Sequence, residues 1–83
     1  MNEVLIEVFV PVLSESFDVF IPLYSPMYEV LELIKKAVSD LSYGRFVSDN
    51  NTVICYRKSG QILNINLSVC ELNILNGSKL MLI

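Results

Sequence analysis

The chain has 83 residues, a hydrophobic fraction of 53% and a formal net charge of -3. A chain of this length can bury one modest core, and its high apolar content argues against intrinsic disorder. Its six basic residues are scattered as singles or pairs, which argues against nucleic-acid binding because that function normally needs a basic stripe.

The N-terminus and the cysteines bear on the cellular compartment. No basic leader precedes the first apolar stretch, and Glu7 and Pro11 interrupt that stretch, so we expect neither a signal peptide nor a membrane-inserted segment. We therefore expect a cytoplasmic protein in which Cys55 and Cys70 stay reduced. Two cysteines without any histidine cannot form an ordinary structural zinc site, so we expect no metal.

Alternating side chains predict a β-hairpin at the start of the chain. Valine or isoleucine occupies every second position of residues 4–10, which places one face of that strand in a core. A turn is expected after Pro11, because proline cannot donate to a strand ladder. A second alternating strand then runs through residues 17–21 and stops at Pro22.

A helix is predicted to begin at Ser25 and Pro26. The serine oxygen can cap free backbone amides, and proline at the first helical position loses no hydrogen bond. Gly44 is the expected terminator near the other end of the helix.

The apolar residues of this helix recur at three- and four-residue spacing, which is typical of an amphipathic helix. We expect Val30, Ile34 and Ala37 to seal the core against the sheet. On the polar side we expect Glu32 to pair with Lys36, one helical turn later.

The remaining segments are short. Residues 52–56 are β-branched and apolar enough for a strand, and a brief apolar piece follows at residues 62–63. Residues 68–72 suit a single helical turn, the dipeptide at 76–77 suits a tight turn, and residues 79–83 alternate as a final strand.

This order of elements predicts an α+β fold for residues 1–83 as a single domain. If the last strand lies between the first and third strands, one main helix can cover one face of a mixed sheet of four to five strands. That arrangement is the β-grasp.

The segment from Ser68 to Leu82 carries a family resemblance. Its polar turn, the Asn73-Ile74 step, Asn76-Gly77 and the closing strand resemble the ubiquitin superfamily. Within that superfamily the chain is most similar to the YukD/EsaB group, small proteins encoded with type VII secretion systems of Gram-positive bacteria. The resemblance implies a ubiquitin-like fold and an accessory or regulatory role in secretion.

Conjugation and catalysis are not expected. Ubiquitin-like modifiers need a flexible tail ending in glycine, whereas this sequence ends with Met81-Leu82-Ile83 inside a predicted strand. The chain has no histidine, no glycine-rich phosphate loop and no serine or cysteine beside a base. We therefore expect no catalytic residues and no cofactor.

The sheet face opposite the helix is the predicted protein-binding site. The residues out of phase with the core are too apolar for a simply solvated face, and ubiquitin-like domains commonly bind partners there. A component of the secretion machinery is the expected partner. The alternatives are an auxiliary subunit of an unrelated cytoplasmic enzyme complex and a homodimer through the same face. The predicted binding residues are Leu5, Phe9, Phe20, Cys55, Met81 and Ile83.

Overall fold

A computed structural model describes residues 2–83, and within this range it contains four strands and one long helix. A single 3-10 turn, Pro11–Leu13, joins the first two strands. The elements are β1 (Glu3–Val10), β2 (Glu15–Pro22), α1 (Met27–Leu41), β3 (Ile54–Tyr56) and β4 (Lys79–Leu82).

The strands form one mixed sheet in the order β2-β1-β4-β3. β1 pairs antiparallel with β2 and parallel with β4, and β3 pairs antiparallel with β4. The predicted position of the last strand, between the first and the third, is confirmed. The α+β arrangement of a mixed sheet under one helix is confirmed with it.

The core lies between this sheet and α1, and the predicted phase of β1 is correct. All four inward residues of β1 are 8% exposed or less. The helix contributes a stripe at three- and four-residue spacing. The inward residues are Val4, Ile6, Val8 and Val10 of β1 with Met27, Val30, Ile34 and Val38 of α1.

One predicted member of the helical stripe is misplaced. Ala37 is only half-buried and lies at the margin of the core. Val38 is fully buried instead, because it is four residues after Ile34 and therefore on the same face of the helix. Val38, and not Ala37, therefore packs in the core with Val30 and Ile34.

The helix start differs from the expected serine cap. Pro26 is the N-cap residue, and no side chain caps the helix there, so the prediction for Ser25 is wrong. The first free amide, that of Met27, donates to the carbonyl oxygen of Leu67 at 2.8 Å, and the next amide donates to Ile65 at 3.0 Å. Backbone carbonyls of a distant loop therefore satisfy the donors that a serine hydroxyl was expected to satisfy.

The ion pair on the outer face of α1 is also different. Glu32 pairs with Lys35 at 3.0 Å instead of with Lys36. Lys35 additionally donates to the carbonyl oxygen of Asp49 at 3.2 Å, which holds its ammonium on the side of α1 that faces the 49–52 loop. Lys36 lies on the other side of the helix, beside β2.

The second half of the chain is less regular than predicted. β3 starts at Ile54 rather than at residue 52, and Ile62 makes only an isolated bridge with Cys55. Residues 68–72 form a hydrogen-bonded turn, closed by the Leu72 amide donating to the Ser68 carbonyl at 3.0 Å.

Candidate binding site: the open face of the sheet

The open face is the sheet surface opposite α1, and the strand register decides which side chains meet there. Leu5 of β1 pairs with Phe20 of β2. Four residues along β1, Phe9 pairs with Met81 of β4, which in turn pairs with Cys55 of β3. These register pairs place five of the six predicted residues in two apolar groups on one face. The first group is Leu5 with Phe20, and the second is Phe9 with Met81 and Cys55.

A charged row separates the two groups. Glu7 lies between Leu5 and Phe9 on the same face of β1. In the strand register it stands opposite Asp18 of β2 and Lys79 of β4. The open face therefore carries two apolar groups with charges between them, and not one continuous apolar patch.

The exposure of the predicted residues is uneven. Phe20 is 63% exposed and Ile83 is 52% exposed, so both present apolar surface to solvent. Leu5, Phe9 and Met81 are half-buried by their neighbours. Each of these five side chains can be contacted by a partner without a change in the fold.

Cys55 is the exception among the predicted binding residues. Its side chain is fully buried, because β4 flanks it on one side and Ile62 bridges to it on the other. Its Sγ donates to the carbonyl oxygen of Met81 at 3.5 Å, and burial raises the pKa of this thiol. Cys55 therefore offers no contact surface, and its inclusion in the predicted site is corrected.

Arg57 belongs to the open face and was missed in the sequence. Its guanidinium carbon lies 4.2 Å from the centre of the Phe9 ring, and its Nη1 donates to Glu7 Oε2 at 3.1 Å. Cation–π contacts and partly exposed ion pairs are each worth about 1 kcal/mol or less, so this cluster contributes more to surface shape than to stability. Strand alternation could have placed Arg57 on this face, since it is two residues after Cys55.

The turn before β4 builds one side of the open face. The Leu5 amide donates to the side-chain oxygen of Asn76 at 2.8 Å, and the Gly77 amide donates to the Leu5 carbonyl at 2.8 Å. Gly77 has a φ of +85°, as the predicted tight turn requires, whereas Asn76 acts through its side chain. The turn thereby lengthens the contact between β1 and β4 beyond the strand itself.

A shallow groove results where this turn meets the Leu5 and Phe20 pair. The residues lining it mix apolar, acidic, basic and amide side chains, a composition that suits a protein surface better than a small apolar ligand. The groove is lined by Leu5, Ile6, Glu7, Asp18, Phe20, Asn76, Gly77 and Lys79.

Two further features of residues 2–83 bear on the chemistry available. No cluster of three or more acidic, histidine or cysteine side chains in this range could hold a metal ion. None of its helical structure combines the length and apolarity needed to cross a bilayer.

The strand order, the parallel β1–β4 pair and the single covering helix define a ubiquitin-like fold, and comparison with solved structures agrees. No protein-family model and no curated protein sequence matches the chain.

Among solved structures, the chain is similar to the ubiquitin-like domain of the Mycobacterium tuberculosis type VII secretion system protein ECCD1. That comparison has a TM-score of 0.79 and 15% sequence identity, and it covers 100% of this chain and 99% of that one. A chain of the ESX-5 inner membrane complex also matches, with a TM-score of 0.72 and 15% identity, over 100% of this chain but only 21% of its own length.

A third structural match comes from an enzyme assembly. A chain of the toluene 4-monooxygenase HD complex matches with a TM-score of 0.71 and 10% identity, over 96% of this chain and 95% of that one. At identities this low, all three comparisons establish the fold and leave function to be argued from the surface.

Proposed function

We propose that residues 1–83 form a non-enzymatic, ubiquitin-like protein-interaction module. It acts in the cytoplasm as an accessory or regulatory component of a type VII-like secretion system. The observation that carries the proposal is the open face, where exposed apolar side chains flank a charged row.

The composition of the open face supports binding of a protein. Phe20 and Ile83 would lose water-exposed apolar area on contact, which is favourable by roughly 25 cal/mol per Å². Arginine and phenylalanine are both enriched at protein interfaces, and the contact between Arg57 and Phe9 orders both side chains before a partner binds. The charged row would mainly determine the register in which a partner binds and would contribute less to its affinity.

The likeness to type VII secretion domains supports the class of partner. Two of the similar folds occur in a type VII secretion system protein and in the ESX-5 inner membrane complex. We therefore propose a component of the secretion machinery as the partner of the open face.

A second candidate is favoured by the third structural match. A chain with the same fold occurs in the toluene 4-monooxygenase HD complex, so an auxiliary subunit of an enzyme assembly is the alternative. In that case the open face would be buried permanently, and the isolated chain would tend to self-associate or aggregate. A monomeric, soluble chain at high concentration would favour the secretion module.

Site-specific photo-crosslinking in the native host tests the proposal. A photoreactive phenylalanine analogue replaces Phe20 in one strain and Met81 in another, so that both apolar groups of the open face are sampled. Tyr28 is the matched control, because it is an aromatic residue that is 52% exposed and lies on α1.

The expected result is covalent capture of one secretion component from both open-face positions and not from position 28. Capture of enzyme subunits would support the alternative function. Capture of a second copy of this chain, or equal capture from all three positions, would refute docking of a secretion component on the open face.

A further inference from the structure

The two edges of the sheet differ in whether their outward backbone groups are hydrogen-bonded. At the β3 edge, the Tyr56 amide donates to the Gln61 carbonyl at 2.9 Å and the Leu63 amide donates to the Ile54 carbonyl at 3.1 Å. This loop covers β3 as an additional strand would. At the opposite edge, no backbone group within residues 2–83 pairs with the outer side of β2, which is eight residues long.

The register shows which groups of β2 are free. The amides of Leu5 and Glu7 donate to the turn that precedes β4, so these two residues direct their backbone groups away from β2. In an antiparallel pair, facing residues either bond to each other or both point outward. Their partners Phe20 and Asp18 therefore point outward, and Ser16 does so by the same period of two.

A groove runs beside this free edge, between β2 and α1. Its apolar lining includes Val19, Leu33 and Ala37, and Leu33 is 50% exposed although it lies next to the core. Leu33 and Ala37 are four residues apart and form one row along the helix. A strand added to β2 would lay every second side chain against this row.

The charged side chains around the free edge and the groove indicate which kind of segment would bind there. Asp18 is exposed at the centre of the free edge. Among residues 2–83, the charged side chains that line the groove are Glu3, Asp40 and Lys36. Glu7 and Lys79 stand beside Asp18 and offset each other, so carboxylates remain in excess around the edge and the groove, which favours a basic ligand. A second copy of this chain is disfavoured, because the antiparallel register that uses Ser16, Asp18 and Phe20 of both copies places the two Asp18 carboxylates opposite each other.

We propose that the free edge of β2 and the adjacent groove bind an extended segment of a partner protein in which basic and β-branched residues alternate. The segment adds to the sheet beside β2. Its basic side chains lie on the open-face side next to Asp18 and Phe20, and its β-branched side chains lie on the helix side next to Val19 and Leu33. This site adjoins the open face and shares Phe20 with it, but it is formed by the backbone edge of β2 and the groove beside α1, so it goes beyond the proposed function.

Amide hydrogen exchange with a defined peptide tests the proposal. The probe is the blocked peptide Gly-Lys-Val-Lys-Val-Lys-Gly, and its control carries glutamate in place of every lysine. At low ionic strength, the lysine peptide is expected to slow exchange of the Ser16, Asp18 and Phe20 amides about tenfold at saturation. The glutamate peptide is expected to leave those three amides unchanged. Equal protection by both peptides, or protection confined to other segments, would overturn the proposal.

Charge-reversal variants supply the second measurement. Asp18→Lys should weaken binding of the lysine peptide about fivefold, because one cross-strand charge pair is worth up to about 1 kcal/mol. Glu32→Lys makes the same change in net charge on the side of α1 away from β2 and should leave binding unchanged. Asp18→Asn provides a milder variant if the reversal disturbs folding. Equal loss of binding in the Asp18 and Glu32 variants would show attraction by net charge alone and would refute the site.

Discussion

Replacing Ile34 with alanine is expected to remove much of the stability of the fold. Ile34 is fully buried at the middle of α1, against the inward side of the sheet. The substitution deletes three carbon atoms, about 2.4 kcal/mol in transfer free energy at 0.8 kcal/mol per buried methylene, and leaves a cavity that adds to the cost. A total of about 3–4 kcal/mol is a large part of the 4–12 kcal/mol typical of a chain of this size.

Thermal and urea unfolding, followed by circular dichroism, measure this effect. At about 4–8 °C per kcal/mol, the Ile34→Ala melting temperature should fall by at least about 12 °C. Leu33→Ala is the matched control, since it also deletes three carbon atoms but starts from a side chain that is 50% exposed. The control should lose about 1 kcal/mol or less. Equal losses for the two variants would show that the inward face of α1 is assigned incorrectly.

Three further predictions concern the surface. Arg57→Ala should change the free energy of unfolding by about 1 kcal/mol or less. A double-mutant cycle with Glu7→Gln, measured by urea unfolding, should give a coupling energy in the same range. A larger coupling energy would contradict a solvent-screened ion pair. The hydrogen bond from Arg45 lowers the pKa of the Glu15 carboxyl, so the stabilisation that it provides is present above the unfolded pKa and is lost as the pH falls through the lowered folded value. NMR titration should show the Glu15 midpoint rising in Arg45→Gln, and an unchanged midpoint would exclude the pair in solution. Asn76→Ala should cost about 0.5–1.5 kcal/mol in chemical denaturation by removing the acceptor of a strand amide, whereas Asn76→Asp should retain most of that stability; equal losses would refute this role.

The elements with a strong side-chain period could be predicted from the sequence. β1, β2 and α1 follow the expected alternation and helical spacing closely, because burial of one face constrains every second or every third to fourth residue. The helix start could not be predicted in detail. Its amides are satisfied by carbonyls from residues 65 and 67, and no local pattern reveals a partner about 40 residues away along the chain.

The candidate site was predictable by face but not by arrangement. Alternation placed Leu5, Phe9 and Phe20 on the side opposite the helix, and the structure agrees. The register between β1 and β4, which places Lys79 beside Glu7, depends on how the last turn docks and has no signature in either strand. The burial of Cys55 likewise depends on a loop that folds back across β3.

The position of β4 has a consequence for how the chain folds during synthesis. The hydrogen bond between the Leu5 amide and the Asn76 side chain joins residues 71 positions apart, so the centre of the sheet closes only after nearly all of these residues have left the ribosome. Until then, the β1–β2 hairpin and α1 can form together, but one side of β1 lacks its neighbour. Nascent chains that carry an unpaired β1 are therefore the species most open to strand-mediated misassembly or chaperone capture.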